Sequence, residues 1–355
     1  MKNKSVVIGL SGGVDSSVAA VLLKEQGYNV IGVTLKLWEK TGKFEGETYI
    51  DEAKNIAKKL EIEHIVVDAQ KEFKQTVVKY FISEYLNGRT PSPCTLCNNQ
   101  IKWKLLADVA NKYNYEFIAT GHYINIKQIN DLFYIEKGID DVKDQSYFLW
   151  ELTNEILKKS LTPLGNLSKT EVRRLAANYG LNDIFNKKES MSVCFLQNTD
   201  YRSFINNNIE DKTQIKEGEI YNTQGIKVGT HNGIAYYTIG QKNGLKITEQ
   251  GNFYVKEINA KNNSLIVSTK QELNKREILV NNLSLINIED LQTYNGELTV
   301  KVRGYGLNPE KKCTVNLENK DLLKVSFNDN AWAPAPGQPV VFYYGNLLLG
   351  GGITI

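Results

Sequence analysis

Three of the four cysteines of this chain lie in segments rich in turn-forming residues. Cys94 and Cys97 form a Cys-x-x-Cys pair within Pro-Ser-Pro-Cys-Thr-Leu-Cys-Asn, and Cys194 follows much later. A single cysteine is commonly a small buried apolar residue, whereas a closely spaced pair favours thiolate formation, disulfide exchange or metal ligation. Cys313 precedes Thr-Val in a β-like run, so we expect it to be a buried residue of a sheet. Thiol chemistry is therefore a candidate function of the other three.

A second candidate site is the sequence Ser-Gly-Gly-Val-Asp-Ser at residues 11–16. It follows a β-branched run and opens a helical pattern, so backbone N–H groups, hydroxyl groups and a helix N-terminus converge on one point. Such a point binds an anion such as a phosphate. The sequence is neither a G-x-G-x-x-G turn nor a Walker A motif, since the only Gly-Lys pair, Gly42-Lys43, is followed by Phe44.

Polar residues also follow a later apolar segment. Gly121 and His122 follow the strand predicted at residues 115–119, after Thr120, and the carboxyl ends of strands in an open parallel sheet face the ligand crevice. Both residues are therefore candidates to line a nucleotide site. Residues 143–145 place two charges and an amide before an aromatic run, a mixture that a purely solvated face does not require.

The first half of the chain alternates β-branched runs with helical periodicity. Strands are predicted at residues 6–10, 30–37, 62–67 and 115–119, and helices at 15–26 and 51–60 and along apolar stripes at 73–85 and 101–109. This alternation predicts a doubly wound, mostly parallel sheet. Residues 89–98, which contain two prolines, are predicted to be a loop. Ser168 and Glu171 have the spacing of a capping box and predict a further helix that ends near Gly180.

The pattern changes near residue 210, where short alternating strands and turn signals replace the α/β alternation. We therefore predict three domains: an α/β domain with a helical extension over residues 1–212, and small antiparallel β domains over residues 213–274 and 275–355.

The composition is that of a globular protein of two or three domains, with 355 residues, 41% hydrophobic and 23% charged. It excludes a disulfide-stapled miniprotein and a disordered tail. No apolar run approaches the ~18 residues of a membrane span, so we expect no signal peptide, no membrane anchor and a cytoplasmic location with reduced thiols. A formal charge of +3 does not by itself indicate a nucleic-acid-binding protein.

The loop at residues 11–16 resembles the PP-loop of the ATP pyrophosphatases, and other motifs extend the resemblance. They are Pro-x-Pro-x-x-x-Cys-Asn at 91–98, Ala-Thr-Gly-His-Tyr at 119–123, Lys-Asp-Gln-Ser-Tyr-Phe-Leu at 143–149, Ser-Met-x-x-Cys-Phe at 190–195, Pro-Gly-Gln at 336–338 and Gly-Gly-Gly at 350–352. In order and spacing, the chain resembles the bacterial tRNA-specific 2-thiouridylases over essentially its whole length. The resemblance implies a PP-loop catalytic domain, a small central domain and a C-terminal β-barrel domain that together hold the anticodon arm of tRNA.

The implied reaction replaces the C2 oxygen of the wobble uridine by sulfur. ATP, with Mg²⁺ near Asp15, adenylates that oxygen and so turns it into a leaving group. A persulfide on Cys194 delivers the sulfur, and Cys97 attacks the sulfur bridge to free the product, which leaves a disulfide between the two cysteines. The target base must also leave its stack to reach the site. The implied partners are tRNA and a persulfide or sulfide donor from a cysteine desulfurase relay, and we expect the chain to act as a monomer.

The resemblance assigns three groups of residues, position by position. The catalytic pair is Cys97 and Cys194. The ATP-binding positions are Gly9, Leu10, Ser11, Gly12, Gly13, Val14, Asp15, Ser16, Leu35 and Gly121. The tRNA-binding positions are Ser92, Pro93, Cys94, His122, Lys143, Asp144, Gln145, Arg303 and Gln338.

Two positions depart from the family pattern. The best-known members carry Asp where this chain has Cys94, and Tyr where a glycine follows Arg303. The thiolates of Cys94, Cys97 and Cys194 also give the number suited to a [4Fe-4S] cluster with one open iron. Sulfur transfer through such a cluster is therefore an alternative to the persulfide route.

Two other functions differ in what they require of these motifs. Another PP-loop adenylase, one that forms an amide or amidine from a nitrogen nucleophile, has no need of the cysteine pair. A tRNA-binding module whose nucleotide loop is only regulatory would have lost catalysis, and the intact Ser-Gly-Gly-Val-Asp-Ser loop and both cysteines argue against that loss. The presence of both features favours the thiolation reaction.

Overall fold

The computed structural model describes residues 4–38, 48–181, 193–196, 199–248, 250–303 and 308–355. The chain divides into two compact units. The first comprises Met1–Thr76, Cys94–Phe195 and Asn346–Leu349, and the second comprises Val77–Pro93, Leu196–Gly345 and Gly350–Ile355. Each unit is thus assembled from separate stretches of the chain.

The helices and strands of the first half alternate. In chain order they are β1 Ser5–Gly9, α1 Val14–Glu25, β2 Asn29–Lys36, α2 Thr48–Lys59, β3 Glu63–Asp68, α3 Gln70–Phe73, a π-helix Lys74–Val78, α4 Lys79–Leu86, α5 Pro93–Cys97, a second π-helix Asn98–Trp103, α6 Lys104–Lys112, β4 Phe117–Ala119, β5 Ile124–Ile129, β6 Leu132–Lys137, a 3₁₀ helix Ser146–Leu149, α7 Asn154–Lys158, β7 Ser160–Leu161 and α8 Lys169–Asn178.

Strands dominate the rest of the chain. In chain order the elements are α9 Tyr201–Asn208, a 3₁₀ helix Lys212–Gln214, β8 Gly218–Asn222, β9 Lys227–His231, a 3₁₀ helix Ile234–Tyr236, β10 Lys246–Ile247, β11 Tyr254–Asn259, β12 Ser264–Ser268, a 3₁₀ helix Gln271–Leu273, β13 Asn274–Leu285, α10 Ile288–Thr293, β14 Thr299–Val302, β15 Lys311–Asn319, β16 Leu322–Trp332, β17 Pro339–Tyr344 and β18 Leu347–Thr354.

The first unit is built on a five-stranded sheet with strand order β3-β2-β1-β4-β7, in which neighbouring strands are parallel. The predicted parallel sheet is thereby confirmed. Its central strand β1 contributes Val6, Val7 and Ile8, which are fully buried, as expected for a strand covered on both faces. Because the strands are parallel, the ends of β1, β2 and β4 meet at the same edge, where the Gly-rich loop begins.

Two local predictions differ from the structure. The prediction of a loop over residues 89–98 is wrong at its end, because Pro93 begins helix α5. Proline is compatible with a first helical position, where its missing N–H group has no intrahelical acceptor anyway. The antiparallel hairpin of β5 and β6 is not among the predicted elements, although Asn130 at its turn has a φ of +52°, a typical turn conformation of asparagine.

The second unit contains two β structures. One is a sheet with strand order β10-β9-β8-β12-β11, in which β8 and β12 pair in parallel and the other pairs are antiparallel. The other follows the order β13-β16-β15-β14-β17-β18, and pairing of β13 with β18 closes it into a six-stranded barrel. The expected C-terminal barrel is thereby confirmed. Cys313 lies on β15 and is 1% exposed, in agreement with its predicted place in a sheet.

Within the part of the chain that the structure describes, no helix combines the length and the apolar character that are needed to cross a membrane.

Candidate active site

The Gly-rich loop connects β1 to α1 and presents backbone N–H groups at one point. Helix α1 begins at Val14, and its N-cap Gly13 has no side chain to cap it. The first N–H groups of a helix have no intrahelical acceptor, so those of residues 13–16 can bind an anion. The Oγ of Ser16 accepts a hydrogen bond from the N–H of Ser11 at 3.1 Å and donates one to the Gly13 carbonyl at 3.2 Å. These bonds fix the shape of the loop.

Two glycines allow close packing around this loop. Gly12 has a φ of +73°, and a Cβ atom there would lie 2.7 Å from the Tyr49 carbonyl oxygen. A Cβ atom on Gly121 would lie 2.8 Å from the Ser16 nitrogen and 2.9 Å from the Asp15 carbonyl carbon. Only glycine therefore lets the segment after β4 approach the first turn of α1 so closely.

The positions expected to bind ATP lie around this edge of the sheet. Gly9 ends β1, and Leu35 lies near the end of the adjacent strand β2. Leu10 is held between these strands, since its N–H group donates to the Val33 carbonyl at 2.7 Å and its carbonyl accepts from Thr34 Oγ1 at 2.6 Å. The structure thus brings residues 9–16 and Gly121 together, with Leu35 on the neighbouring strand.

Asp15 is engaged by two residues that the sequence analysis does not identify. The Nζ atom of Lys169, the first residue of α8, lies 2.7 and 2.8 Å from the two carboxylate oxygens of Asp15. The hydroxyl group of Tyr123 donates a 2.7 Å hydrogen bond to Asp15 Oδ1. Lys169 is 154 residues away from Asp15, so no spacing rule indicates their pairing.

The cysteines form a second cluster in the same unit. Cys97 ends α5 and is 4% exposed, Cys94 is half-buried, and Cys194 is exposed. Burial raises the pKa of Cys97 to about 12, and the nearby Lys102 ammonium lowers it. Desolvation raises the pKa values of Cys94 and Cys194, and Lys102 opposes this effect at both. One cation therefore acts on all three thiols.

Lys102 belongs to the π-helix Asn98–Trp103 that follows Cys97 directly. Burial lowers its pKa, but attraction to Cys97, Cys194 and Cys94 outweighs burial and leaves the pKa above its ordinary value. Lys102 therefore carries a positive charge at neutral pH. A π-helical turn is rare and often marks a functional segment.

His122 lies near the same cation and is uncharged at neutral pH. Burial, followed by repulsion from Lys102, lowers its pKa to about 3. Its Nδ1 atom is 3.0 Å from Thr120 Oγ1, and its ring centroid is 4.7 Å from that of Trp103. His122 can therefore offer a neutral hydrogen bond or a ring face to a ligand, but not a positive charge to a phosphate.

Apolar and amide contacts hold the cysteine segments in place. Phe195, which follows Cys194, packs with its ring centroid 5.8 Å from that of Phe73 and 6.3 Å from that of Trp38. Asn98 donates a 3.1 Å hydrogen bond to the Phe148 carbonyl, while its own Oδ1 atom is buried and has no hydrogen-bond partner among the described residues. Residues 190–192 of the second cysteine motif lie outside the described residues.

Two residues of the segment 143–145 form hydrogen bonds within the protein. Asp144 is 9% exposed and accepts bonds from the N–H groups of Gly138 and Ser146 and from the Ser146 hydroxyl group. Gln145 Oε1 accepts a 3.0 Å bond from the N–H group of Tyr123. Lys143 is half-buried. Gln145 thereby positions Tyr123, whose hydroxyl group binds Asp15.

The remaining positions expected to bind tRNA lie in the second unit. Gln338 is 8% exposed, and its Nε2 atom donates to the carbonyls of Thr90 and Pro91 at 2.9 and 3.0 Å. Ser92 and Pro93 are buried. The Nη1 atom of Arg303 donates to two backbone carbonyls, of Ile239 at 2.8 Å and Ala333 at 3.0 Å. The glycine and tyrosine after Arg303 lie outside the described residues.

The two implied inorganic groups fit the site differently. Among the residues with assigned positions, no three His, Cys, Asp or Glu side chains converge in a way that could hold a metal ion, and Cys94, Cys97 and Cys194 are among those residues. The three thiols therefore do not form the ligand set of an iron-sulfur cluster. Mg²⁺ is commonly held by one or two carboxylates together with substrate phosphates and water, so Asp15 suits it.

The fold and the site together define a PP-loop-like α/β unit that carries three cysteines, and a second unit that contains two β structures. Family models match in the same order: the tRNA methyl transferase HUP domain over residues 4–198, the tRNA methyl transferase PRC-barrel domain over residues 202–269, and the aminomethyltransferase beta-barrel domain over residues 275–354.

Curated relatives resemble the chain over its whole length. The tRNA-specific 2-thiouridylase MnmA of Cytophaga hutchinsonii is 41% identical over 99% of this chain and 97% of its own length. The tRNA-specific 2-thiouridylase MnmA 3 of Phocaeicola vulgatus is 42% identical over 99% of this chain and 94% of its own length. Among solved structures, a 4-thiouridine synthetase in complex with RNA and ATP aligns with 57% of this chain and 50% of its own at 18% identity, with a TM-score of 0.37. The chain belongs to the family of tRNA-specific 2-thiouridylases.

Proposed function

We propose that this protein uses ATP to activate the C2 oxygen of a wobble uridine in tRNA and then replaces that oxygen by sulfur carried as a persulfide on Cys194. The observation that supports this most strongly is the shared influence of Lys102 on Cys97 and Cys194. These cysteines come from segments far apart in sequence and lie in the unit that carries the Gly-rich loop.

The loop supports the activation step. The N–H groups at the start of α1 would bind the ATP phosphates, and the close approach of Gly121 to the Ser16 nitrogen leaves no room for a side chain beside them. Asp15 would hold Mg²⁺, which neutralises charge on the departing pyrophosphate. Attack of the C2 oxygen on the α-phosphorus forms an O–P bond and releases pyrophosphate. The oxygen is then part of AMP, which is a good leaving group.

The cysteines support the sulfur step. The terminal sulfur of the Cys194 persulfide attacks C2, the C2–O bond breaks, and AMP leaves with the oxygen. The Cys97 thiol then gives up its proton and attacks the Cys194 sulfur of the resulting bridge, which releases the base as 2-thiouridine and forms a Cys97–Cys194 disulfide. An external dithiol must supply two electrons before the next turnover. Burial raises the pKa of Cys97 to about 12 and that of Cys194 above its ordinary value, and Lys102 opposes this effect at both, so each thiol loses its proton only as it reacts.

Cys94 and His122 lie beside this chemistry without carrying sulfur in it. Burial raises the pKa of Cys94 as it does that of Cys97, so the Cys94 thiol is protonated at neutral pH. His122 is neutral. We propose that both contact the extruded base as neutral groups. A cluster route is less well supported, since the three thiols do not converge as metal ligands among the described residues.

A nucleoside assay tests the proposal. Full-length protein freed of iron is incubated with ATP, Mg²⁺, an unmodified tRNA transcript and a persulfide donor. The tRNA is then digested, and its nucleosides are identified by mass spectrometry. We expect 2-thiouridine from the wild type and from the Cys313→Ala control, and none from Cys97→Ala or Cys194→Ala. Formation of a methylated nucleoside instead, or 2-thiouridine from Cys194→Ala, would refute the proposal.

A further inference from the structure

We propose that Cys94 resolves the disulfide that sulfur transfer leaves behind: its sulfur attacks the Cys97 sulfur of the Cys97–Cys194 disulfide and releases Cys194 as a free thiol. The disulfide then joins Cys94 to Cys97, and an external dithiol reduces it. This inference rests on the proposed function, because that function produces the Cys97–Cys194 disulfide. It assigns a reaction, after the base has left, to the position where this chain departs from the family pattern of Asp.

The first argument is the spacing of Cys94 and Cys97 on one helix. Both belong to α5, and Cys97 keeps helical dihedral angles, with φ of −62° and ψ of −42°. Residues three apart on an α-helix share a face, and their Cα atoms are about 5 Å apart. Disulfides join residues whose Cα atoms are roughly 4.4–6.8 Å apart. A Cys94–Cys97 disulfide can therefore form with a local adjustment of this turn.

The second argument is that the third cysteine lies near both of these. Desolvation is the main reason why the pKa values of Cys94 and Cys97 are raised, and the charge of Cys194 raises both further. All three cysteines belong to the first unit. Disulfide exchange needs a line of three sulfur atoms with Cys97 in the middle, and not the common centre that a metal ion needs. The arrangement therefore suits exchange, although the three thiols do not converge as metal ligands among the described residues.

The third argument is the difference in exposure among the three thiols. Cys194 is exposed, Cys94 is half-buried, and Cys97 is 4% exposed. An external persulfide donor can reach an exposed thiol, whereas a buried one is inaccessible to it. Moving the disulfide to Cys94–Cys97 frees the exposed thiol for the next sulfur atom. It also leaves a half-buried sulfur, that of Cys94, for the reductant to attack.

The exchange balances without an additional oxidant. The Cys94 thiol loses its proton and forms a bond to the Cys97 sulfur, while the Cys97–Cys194 bond breaks and the proton passes to the Cys194 sulfur. Exchange is faster when the departing thiolate is stabilised, and the positive charge of Lys102 opposes the desolvation that raises the pKa of Cys194. The external dithiol of the proposed function supplies two electrons, reduces the Cys94–Cys97 disulfide and leaves as a disulfide itself.

A Cys94 that only contacts the base gives a different expectation. The Cys97–Cys194 disulfide would then persist until a dithiol reduces it, and the wild type would behave like Cys94→Ser, which lacks the attacking sulfur. Cys313→Ala is a matched control because Cys313 is a buried cysteine on β15, in the second unit.

Disulfide mapping after a single turnover provides the test. Full-length protein freed of iron is loaded with a persulfide on Cys194, and excess donor is removed. ATP, Mg²⁺ and an unmodified tRNA transcript are then added without reductant. Acid stops the exchange, free thiols are alkylated, and the disulfide-linked peptides are identified by mass spectrometry. We expect a Cys94–Cys97 disulfide and a free Cys194 in the wild type and in Cys313→Ala. Cys94→Ser should form 2-thiouridine once and stop at the Cys97–Cys194 disulfide.

The other outcomes are distinct. A Cys97–Cys194 disulfide that persists in the wild type as it does in Cys94→Ser would overturn the inference and leave the proposed function intact. A Cys94–Cys97 disulfide that also forms without ATP would be adventitious oxidation and would count against the inference. If Cys94→Ser does not fold, the wild-type map with and without ATP decides. Formation of 2-thiouridine with no disulfide at all would instead contradict the proposed persulfide route.

Discussion

At the scale of single residues, the site depends on a few charges placed where burial makes them effective. Burial raises the pKa values of Cys94, Cys97 and Cys194, and the positive charge of Lys102 opposes this effect at all three. Lys169 and Tyr123 hold the carboxylate of Asp15. His122 lies near a cation and is kept neutral. Lys102 thus acts on the thiols and Lys169 pairs with Asp15 of the Gly-rich loop, and the two lysines belong to different helices.

The effect of Lys102 on Cys194 can be measured directly, since Cys194 is exposed. Lys102→Met removes the positive charge, so the pKa of Cys194 rises further and less thiolate is present at a given pH. Alkylation of Cys194 by iodoacetamide at pH 8, followed by peptide mass spectrometry, should slow about tenfold for each unit of pKa. The wild-type rate should return at higher pH.

Lys104→Met is the matched control for that substitution. Lys104 is exposed and pairs with Glu72 at 2.9 Å. Its removal should leave the alkylation rate of Cys194 unchanged. An equal rate for Lys102→Met and wild type across the pH range would show that Lys102 does not tune this thiol.

Gln338 tests whether a position expected to bind tRNA also stabilises the free protein. Its amide donates to two backbone carbonyls in a buried environment. Gln338→Leu should lower the free energy of unfolding by about 2 kcal/mol, because both acceptors lose a donor. Thermal or urea unfolding without tRNA measures this. Gln128→Leu, at an exposed site with one local bond, should change stability little, and equal stability of both variants would exclude the structural role.

At the scale of elements, the sequence predicts what depends on local pattern. The strand-loop-helix unit around residues 11–16 and the capping box at Ser168 are both formed. Their signals lie within a few neighbouring residues. The helix at Pro93 and the hairpin of β5 and β6 are not predicted, because short elements carry weak patterns.

Contacts between distant segments are the part that sequence does not predict. Nothing in the local pattern pairs Lys169 with Asp15 or gathers three cysteines around Lys102. Residues 143–145 are a further example. The resemblance assigns them to tRNA binding, and their local sequence does not predict that Asp144 and Gln145 accept hydrogen bonds from backbone and side-chain donors inside the first unit. The domain boundaries near residues 212 and 274 stay a prediction.

Substitution of Gly121 tests whether ATP binding requires the close approach of the segment after β4 to the first turn of α1. Gly121→Ala would place a Cβ atom 2.8 Å from the Ser16 nitrogen and must displace the loop. Equilibrium binding of ATP should weaken about tenfold or more. Gly27→Ala is the control, because a Cβ atom there meets nothing within 4 Å although its φ of +83° makes it strained. We expect Gly27→Ala to lower the stability of the protein and to leave its affinity for ATP unchanged. Unchanged ATP affinity in Gly121→Ala would show that the close approach is not required.

At the scale of the whole molecule, we expect the second unit, which contains the barrel, to make tRNA contacts outside the Gly-rich loop. Removing residues 275–355 is a poor test of this expectation. Residues Asn346–Leu349 belong to the first unit, where Leu347 and Leu348 pair with Glu136 and Ile135 of β6. Such a truncation would damage the catalytic unit as well.

Salt dependence of the intact chain is a better measurement. If several phosphates of tRNA are contacted, counterion release should weaken tRNA binding by about tenfold or more between roughly 50 and 200 mM salt. Binding of adenosine, which has no phosphate, should stay constant over the same range. A tRNA affinity that does not change with salt would argue against phosphate contacts spread over the protein.

The central claim is that the oxygen of the uridine leaves with AMP. A tRNA whose wobble uridine carries ¹⁸O at C2 is incubated with full-length protein, ATP, Mg²⁺ and a persulfide donor. The mass of the AMP that forms is then measured by mass spectrometry. We expect one ¹⁸O atom in AMP for each 2-thiouridine that forms. Unlabelled AMP accompanying 2-thiouridine would contradict it.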